Sequence, residues 1–313
     1  MLDIFPLWGL KPGRLRSDIA LPGSPERCAS RQAVEDDQGR VWVLECLRPA
    51  QLEQRERIGQ ALAQLEGMGL PVLAYKRGLG DHFVLQHADA HWQLSRFVPG
   101  DPLPQPDFVD DAERGRHLGD FVAGLNRVGG LVRTFDAEPA FILEEYINDL
   151  MTVMKSRQPD IHAALLPVLG SLVPLFEAWH DLPTALCQGD FHPLNILWHG
   201  RSVGAVMDWE FMGIRPALFD VANCLGCVGI EEPHALVTGL APALLTTLRN
   251  SDALDAAGFH VLPEMILGMR FAWMSEWLRK NDHEMVALEM KYMHLLSRSI
   301  DTLLPAWKIL LER

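Results

Sequence analysis

The sequence predicts an α+β chain built as two lobes: a small β-rich lobe over residues 1–98 and a larger, mainly helical lobe over residues 99–313. Three observations predict it. The first hundred residues alternate short strand-like runs with turn formers, around a single amphipathic helical stretch. The run Pro99-Gly100-Asp101-Pro102 then interrupts the pattern. From Asp110 onward, apolar residues recur at helical spacing nearly to the end.

Taken in order, Arg31–Glu35 and Val41–Leu47 flank the turn-forming run Asp36-Asp37-Gln38-Gly39, which predicts an antiparallel hairpin. A helix is expected from Gln51 to Met68, with Ile58, Leu62 and Leu65 on one face and Gly67, Gly69 and Pro71 ending it. Short strands are expected at Val72–Lys76, His82–His87 and Trp92–Val98. Beyond the break, Leu118, Phe121, Val122, Leu125 and Val128 form one helical stripe, and Leu143, Tyr146, Ile147, Leu150, Met151 and Met154 a second. A third helix runs from Ile161 towards Trp179, and its prolines predict a bend or break. Pro263 to Glu312 carries further helical patterns rich in Met and Trp.

Composition narrows the function. A net charge of −13 with no basic stripe argues against a nucleic-acid partner, whose phosphates need clustered Lys and Arg. No run approaches the roughly 18–20 apolar residues of a membrane span; Leu165 to Phe176 comes closest and is interrupted by Pro167 and Pro174. The first residues show no basic leader with an apolar core and cleavage site, so a cytoplasmic chain without a membrane partner is expected. Five scattered cysteines form no disulfide framework. Cys224 and Cys227 have metal-like spacing, but they lack a second pair and lie in an apolar stretch, which favours buried free thiols.

Chemistry concentrates between Leu186 and Ala222, LCQGDFHPLNILWHGRSVGAVMDWEFMGIRPALFDVA. Asn195–His199 reads as a strand, Gly200-Arg201-Ser202 as a turn and Val203–Trp209 as a returning strand. That hairpin brings Asn195 and Asp208 to one end, beside the loop holding Asp190. Magnesium prefers hard oxygen ligands, and phosphates with water can complete the shell around one Asp and one Asn. A separate carboxylate must accept the proton of an attacking hydroxyl. Asp190 and Asn195 are five positions apart, the offset of the base and metal-binding Asn in a protein-kinase catalytic loop. Two rival patterns are weaker. Gly200-Arg201-Ser202-Val203-Gly204 matches a hydrolase GxSxG, but a strand follows it where a helix is required. His87-Ala88-Asp89-Ala90-His91 has metal-like spacing in what reads as an exposed turn.

GDFHPLNIL followed by VMDWE and RPALFDVA resembles the aminoglycoside phosphotransferase, choline kinase and homoserine kinase group, sharply over residues 186–223 and loosely elsewhere. The resemblance implies a protein-kinase-like fold and transfer of phosphate from ATP, with Mg2+, to a hydroxyl of a small molecule. It makes Asp190 the catalytic base, Asn195 and Asp208 the metal ligands, and His192 and Asp220 braces of the catalytic loop. Gln188 stands where many relatives carry His. The small lobe departs further. Relatives place a lysine on the third strand to contact nucleotide phosphates, and Val43-Leu44-Glu45-Cys46 puts Glu45 there. Three readings stand open: Arg31 or Arg48 has taken the lysine's role, Glu45 points away or binds a metal, or the chain is a catalytically inactive nucleotide- or metabolite-binding homologue. The phosphate-covering loop falls on Leu21–Arg31, with Ser24 as a candidate contact and no GxGxxG. Phe97 and Val98 fall on the adenine-binding linker, where backbone groups make the contacts. Trp273, Glu276 and Trp277 are implied in the acceptor pocket, while Glu144 and Glu145 read as a solvated helix face. Neither charge nor motif selects homoserine, choline, a hexosamine or an antibiotic as acceptor, nor an oligomeric state.

Overall fold

A computed structural model describes residues 2–21 and 28–312. Its N-terminal part is an antiparallel five-stranded sheet of β1 (Pro12–Leu15), β2 (Ser30–Asp36), β3 (Val41–Leu47), β4 (Leu85–His87) and β5 (Ala90–Arg96). The strands lie in the order β1-β2-β3-β5-β4. The expected hairpin is β2–β3. Asp36 closes its turn by accepting from the backbone N–H of Gln38 at 3.0 Å and of Arg40 at 2.9 Å. The register sets Arg31 directly opposite Glu45.

A 3₁₀ segment, Leu2–Trp8, caps one face of the sheet, where Ile4, Phe5 and Trp8 pack with Val34, Leu44 and Leu94 in a small core of their own. Helix α1 (Leu52–Gly67) follows β3, and its buried Ile58, Leu62 and Leu65 join a second, larger core shared with the helical part. The polypeptide at Val72–Lys76 is not the expected strand. Leu73 N–H donates to the Val206 carbonyl at 3.0 Å, and the Pro71 carbonyl accepts from Val206 N–H at 2.8 Å. Tyr75 meets Ser95 only as an isolated bridge. Its backbone groups are satisfied at scattered points on two different strands, so no ladder forms.

The helical part contains α2 (Ala112–Gly129), α3 (Leu143–Arg157), α4 (Pro159–Gly170), α5 (Val173–Ala178), α6 (Phe219–Glu231), α7 (Leu240–Asn250), α8 (Ala256–His260), α9 (Leu262–Lys280) and α10 (His283–Leu311). Asp111 caps α2 by accepting from the N–H groups of Glu113 and Arg114. The third expected helix divides into α4 and α5, bent by 61°. Pro174 falls in the first turn of α5, where its missing N–H leaves no bond unmade. Among the described residues no single helix is long and apolar enough to cross a membrane; the bent α4–α5 pair meets that test only jointly, and its Leu165, Val168, Leu172 and Leu175 are fully buried. All five cysteines are free thiols, and burial pushes that of Cys227 up to about 12.

Two short antiparallel pairs lie between α5 and α6: β6 (Thr184–Cys187) with β9 (Gly213–Pro216), and β7 (Ile196–His199) with β8 (Ser202–Val206). The segment after β5 is clamped onto β7. Asp101 N–H donates to the Trp198 carbonyl at 2.8 Å, and Asp101 Oδ2 accepts from Gly200 N–H at 2.7 Å.

Candidate active site

The chain leaves β6 through Gln188-Gly189-Asp190 and turns sharply. Gly189 has φ +91°, and a Cβ there would collide with the Phe211 carbonyl, so only glycine fits this approach. Asp220, at the start of α6, holds the turn. Its Oδ2 accepts from Gln188 N–H at 2.6 Å and its Oδ1 from Gly189 N–H at 2.8 Å. Burial pushes the Asp220 carboxyl up to about 6, against the pull of those two donors.

Gln188, fully buried, ties the loop to the hairpin. Its Oε1 accepts from Asp190 N–H at 2.6 Å, and its Nε2 donates to the carbonyls of Met207 at 3.0 Å and Asp208 at 2.5 Å. An amide can donate and accept at once, so Gln188 bridges the Asp190 loop and the end of the hairpin.

Asp190 is held on both carboxylate oxygens. Asn195 Nδ2 donates to Oδ2 at 3.0 Å and to the Asp190 carbonyl at 2.9 Å. Asn223, on α6, places Nδ2 3.4 Å from Oδ1, and its own oxygen accepts from Trp273 Nε1 at 3.0 Å. His192 Nε2 is 3.7 Å from Asp190 Oδ2, beyond hydrogen-bond reach, and its ring packs edge-on to Trp273 at 5.5 Å.

Across the open end of the β7–β8 hairpin, Met207 N–H donates to the Asn195 carbonyl at 3.0 Å. Asp208 is the next residue, in a left-handed conformation (φ 61°, ψ 57°) that turns the chain out of the strand. The Asn195 amide nitrogen is committed to Asp190, and the backbone of Asp208 follows directly on Met207, the residue bonded to the Asn195 carbonyl; one amide oxygen and one carboxylate are the groups this strand end could offer a cation. The donor set suits magnesium, which takes few protein oxygens and completes its shell with phosphate and water. Among the described residues no group of three or more His, Cys, Asp or Glu is arranged as a metal site.

On the sheet side, Glu45 neither points away nor stands open. It is 4% exposed, accepts from Arg31 Nε at 2.8 Å, and lies 4.0 Å from Arg55 Nη1. Arg55, in the first turn of α1, donates to the Tyr75 hydroxyl at 2.8 Å and to Glu210 Oε1 at 2.5 Å. Of the other nucleotide-lobe candidates, Arg48 sits at the exposed end of β3, and its backbone N–H donates to Gln51. Phe97 donates its N–H to the Val41 carbonyl, and Phe97 and Val98 are half-buried just past β5. Ser24 lies outside the described residues.

A cavity of about 560 Å³ opens in front of Asp190; Asn195, Glu210, Arg215, Trp273 and Glu276 are among its lining. Glu276 is paired with Arg279 at 2.7 Å and Lys280 at 3.0 Å. Trp277 lies against Trp273, ring centres 5.6 Å apart and planes tilted by 31°, and donates to Glu289. Arg215 lies on the faces of Phe141 and Phe219, 4.7 and 5.7 Å from the ring centres. Among the described residues it has no carboxylate partner, its Nε makes no hydrogen bond, and burial lowers its pKa. Glu144 and Glu145 are exposed on α3.

Five members of this arrangement are not among the sequence-derived candidates: Arg55, Gln188 as a bridge, Glu210, Arg215 and Asn223. Glu210 and Asn223 stand two and three residues beyond Asp208 and Asp220, so position alone could have found them. Arg55 carries no local signal.

Comparison with known proteins places the chain. A homoserine kinase of Rhodopseudomonas palustris (strain TIE-1) is 30% identical over 122 residues, which is 38% of this chain and 37% of that enzyme. The chain therefore spans well under half of that relative's length. A homoserine kinase of Beijerinckia indica is 24% identical over 242 residues, covering 75% and 65%. Among solved structures, an amicoumacin kinase in complex with AMP-PNP and Ca2+ superposes with a TM-score of 0.62 at 13% identity, covering 88% of this chain and 89% of that one. An aminoglycoside 2′-phosphotransferase-IIIa in its GDP complex also reaches 0.62 at 15% identity, covering 95% and 97%. These likenesses establish the two-lobed protein-kinase-like fold. Residues 29–260 match the phosphotransferase enzyme family over most of the chain's length, and to that family the chain belongs.

Proposed function

We propose that the chain transfers the γ-phosphate of ATP to a hydroxyl group of a small cytoplasmic metabolite. The observation that carries this reading is the Asp190 carboxylate, held on both oxygens by Asn195 and Asn223 at the mouth of a cavity, with Asp208 on the adjoining strand end. Asp190 orients the acceptor hydroxyl and takes its proton. Asn195 and Asp208 would hold Mg2+, which when bound offsets the charge on the phosphate oxygens. Residues 1–98 form the nucleotide lobe, residues 99–313 the catalytic and acceptor lobe, and Phe97 and Val98 present backbone groups to the base. Of the cations that could take the lysine's role, Arg31 is favoured over Arg48, because it stands directly opposite Glu45 on the neighbouring strand β2.

The cavity walls support one acceptor class. An arginine lying on two aromatic rings without a carboxylate partner favours an anionic group on the acceptor. A hydroxy amino acid fits this chemistry, and the relatives in sequence are homoserine kinases. Trp273, on the cavity wall, would face the amine.

The test is ATP-dependent phosphorylation of a panel of hydroxy amino acids, amino alcohols, hexosamines and aminoglycosides, run beside Asp190→Ala. Phosphorylation of a hydroxy amino acid, lost by about 10²-fold or more in the variant, supports the reading. If no acceptor reacts while wild type and variant bind nucleotide alike, the chain is a binding homologue.

A further inference from the structure

The small lobe contains a charge relay that runs opposite to the one its fold leads one to expect. In protein kinases a lysine on the third strand must pair with a glutamate on the following helix for the site to be competent. Here β3 supplies the carboxylate, Glu45, and the following helix α1 supplies the guanidinium, Arg55. The relay continues in both directions. Arg31, on β2, donates to Glu45 at 2.8 Å, and Arg55 donates to Glu210 at 2.5 Å. Four charged residues from four elements thus alternate in sign and sum to zero.

The far end of the relay is at the site. Glu210 lies in the 3₁₀ turn Trp209–Phe211, two residues beyond Asp208. Its backbone is held as well: Gln54, the neighbour of Arg55 on α1, donates Nε2 to the Glu210 carbonyl at 2.7 Å. A single residue, the buried Trp209, separates Glu210 from Asp208. Both ends of Arg55 are committed, one Nη to Glu210 and the other to Tyr75, and its side chain is only 5% exposed. Its geometry is that of a brace between sheet and hairpin, not of a group reaching for phosphate.

We propose that Arg55 is a positioning residue, which sets the Asp208 strand end through Glu210 and so couples the Glu45 sheet to the metal-holding oxygens. This rests on the assignment of Asp208 as a metal ligand. Glu45 is then the anchor of the relay, in place of the lysine that would touch nucleotide.

The experiment is calorimetric ADP binding to the full chain, with and without Mg2+, for wild type, Arg55→Gln, Glu210→Gln, the double variant and Arg55→Lys, each with a thermal melt. The increase in ADP affinity brought by Mg2+ should fall by about 10–100-fold in Arg55→Gln and Glu210→Gln, the range seen when partners of metal ligands are removed. ADP affinity without metal should change far less. The double variant should be no worse than either single one, and Arg55→Lys should recover part of the loss. An unchanged magnesium effect in folded single variants, losses that add in the double variant, or a wild type indifferent to Mg2+ would overturn the proposal. If Arg55→Gln does not fold, Arg55→Lys and Glu210→Gln decide. Because only binding is read, a wild type that binds ADP with Mg2+ but phosphorylates nothing sinks the proposed activity and leaves the relay standing.

Discussion

Arg31 and Glu45 face one another across β2 and β3, and the Arg31 Nε donates to Glu45 Oε1 at 2.8 Å. The Glu45 carboxylate therefore answers two guanidiniums, Arg31 and Arg55, which converge on it.

Restoring the relatives' residue should accordingly do harm. Glu45→Lys puts a third cation among two and removes their counter-charge, and breaking a buried pair in this way costs about 3 kcal/mol or more. A thermal melt should show a clear drop in Tm, with Glu45→Gln intermediate. A stable Glu45→Lys with tighter nucleotide binding would contradict the ion-pair account.

Gln188→Ala should impair turnover more than binding. It leaves the Asp190 N–H and the Met207 and Asp208 carbonyls without their shared partner, at about 1–3 kcal/mol for each buried group left unsatisfied. With an identified acceptor, kcat should fall well beyond any change in nucleotide KM. Gln188→Glu should fare as badly, because a carboxylate cannot donate to two carbonyls.

Asp220 gives a pH signature. Burial raises its folded pKa to about 6, above the ordinary aspartate value, so the folded state binds the proton more tightly than the unfolded chain does. Its contribution to stability is full below about pH 4 and is lost as the pH rises through about 6, by an amount on the order of 2–3 kcal/mol. Tm measured against pH should show that slope in wild type and lack it in Asp220→Asn.

Among the buried helices, Arg270 on α9 and Glu289 on α10 form two 2.6 Å bonds with essentially no exposure. Arg270→Met should cost about 3–5 kcal/mol in denaturant unfolding, because it strands a buried carboxylate. Arg270→Met combined with Glu289→Leu should recover most of it.

What could be read from the residues and what could not divides along sequence distance. Asp190, Asn195 and Asp208 fall within one hairpin and its approach, so chain geometry alone brings their backbones together. The prolines around Gly170 mark the α4–α5 bend because proline acts on its own helical turn. The strand expected at Val72–Lys76 fails because its partners belong to β8 and β5, which a local pattern does not see. Arg55 is the clearest case. It lies 155 residues from Glu210, and helical periodicity identifies the apolar face of α1 without saying which polar residue meets the other lobe.

The most direct check of the central claim is transfer of label from γ-labelled ATP to a hydroxy amino acid by wild type and by Asp190→Asn, whose amide preserves the shape of the carboxylate and removes its basicity. Labelled product should form with wild type and fall by about 10²-fold or more in the variant, with ADP binding retained. Equal transfer by both proteins would contradict Asp190 as the base.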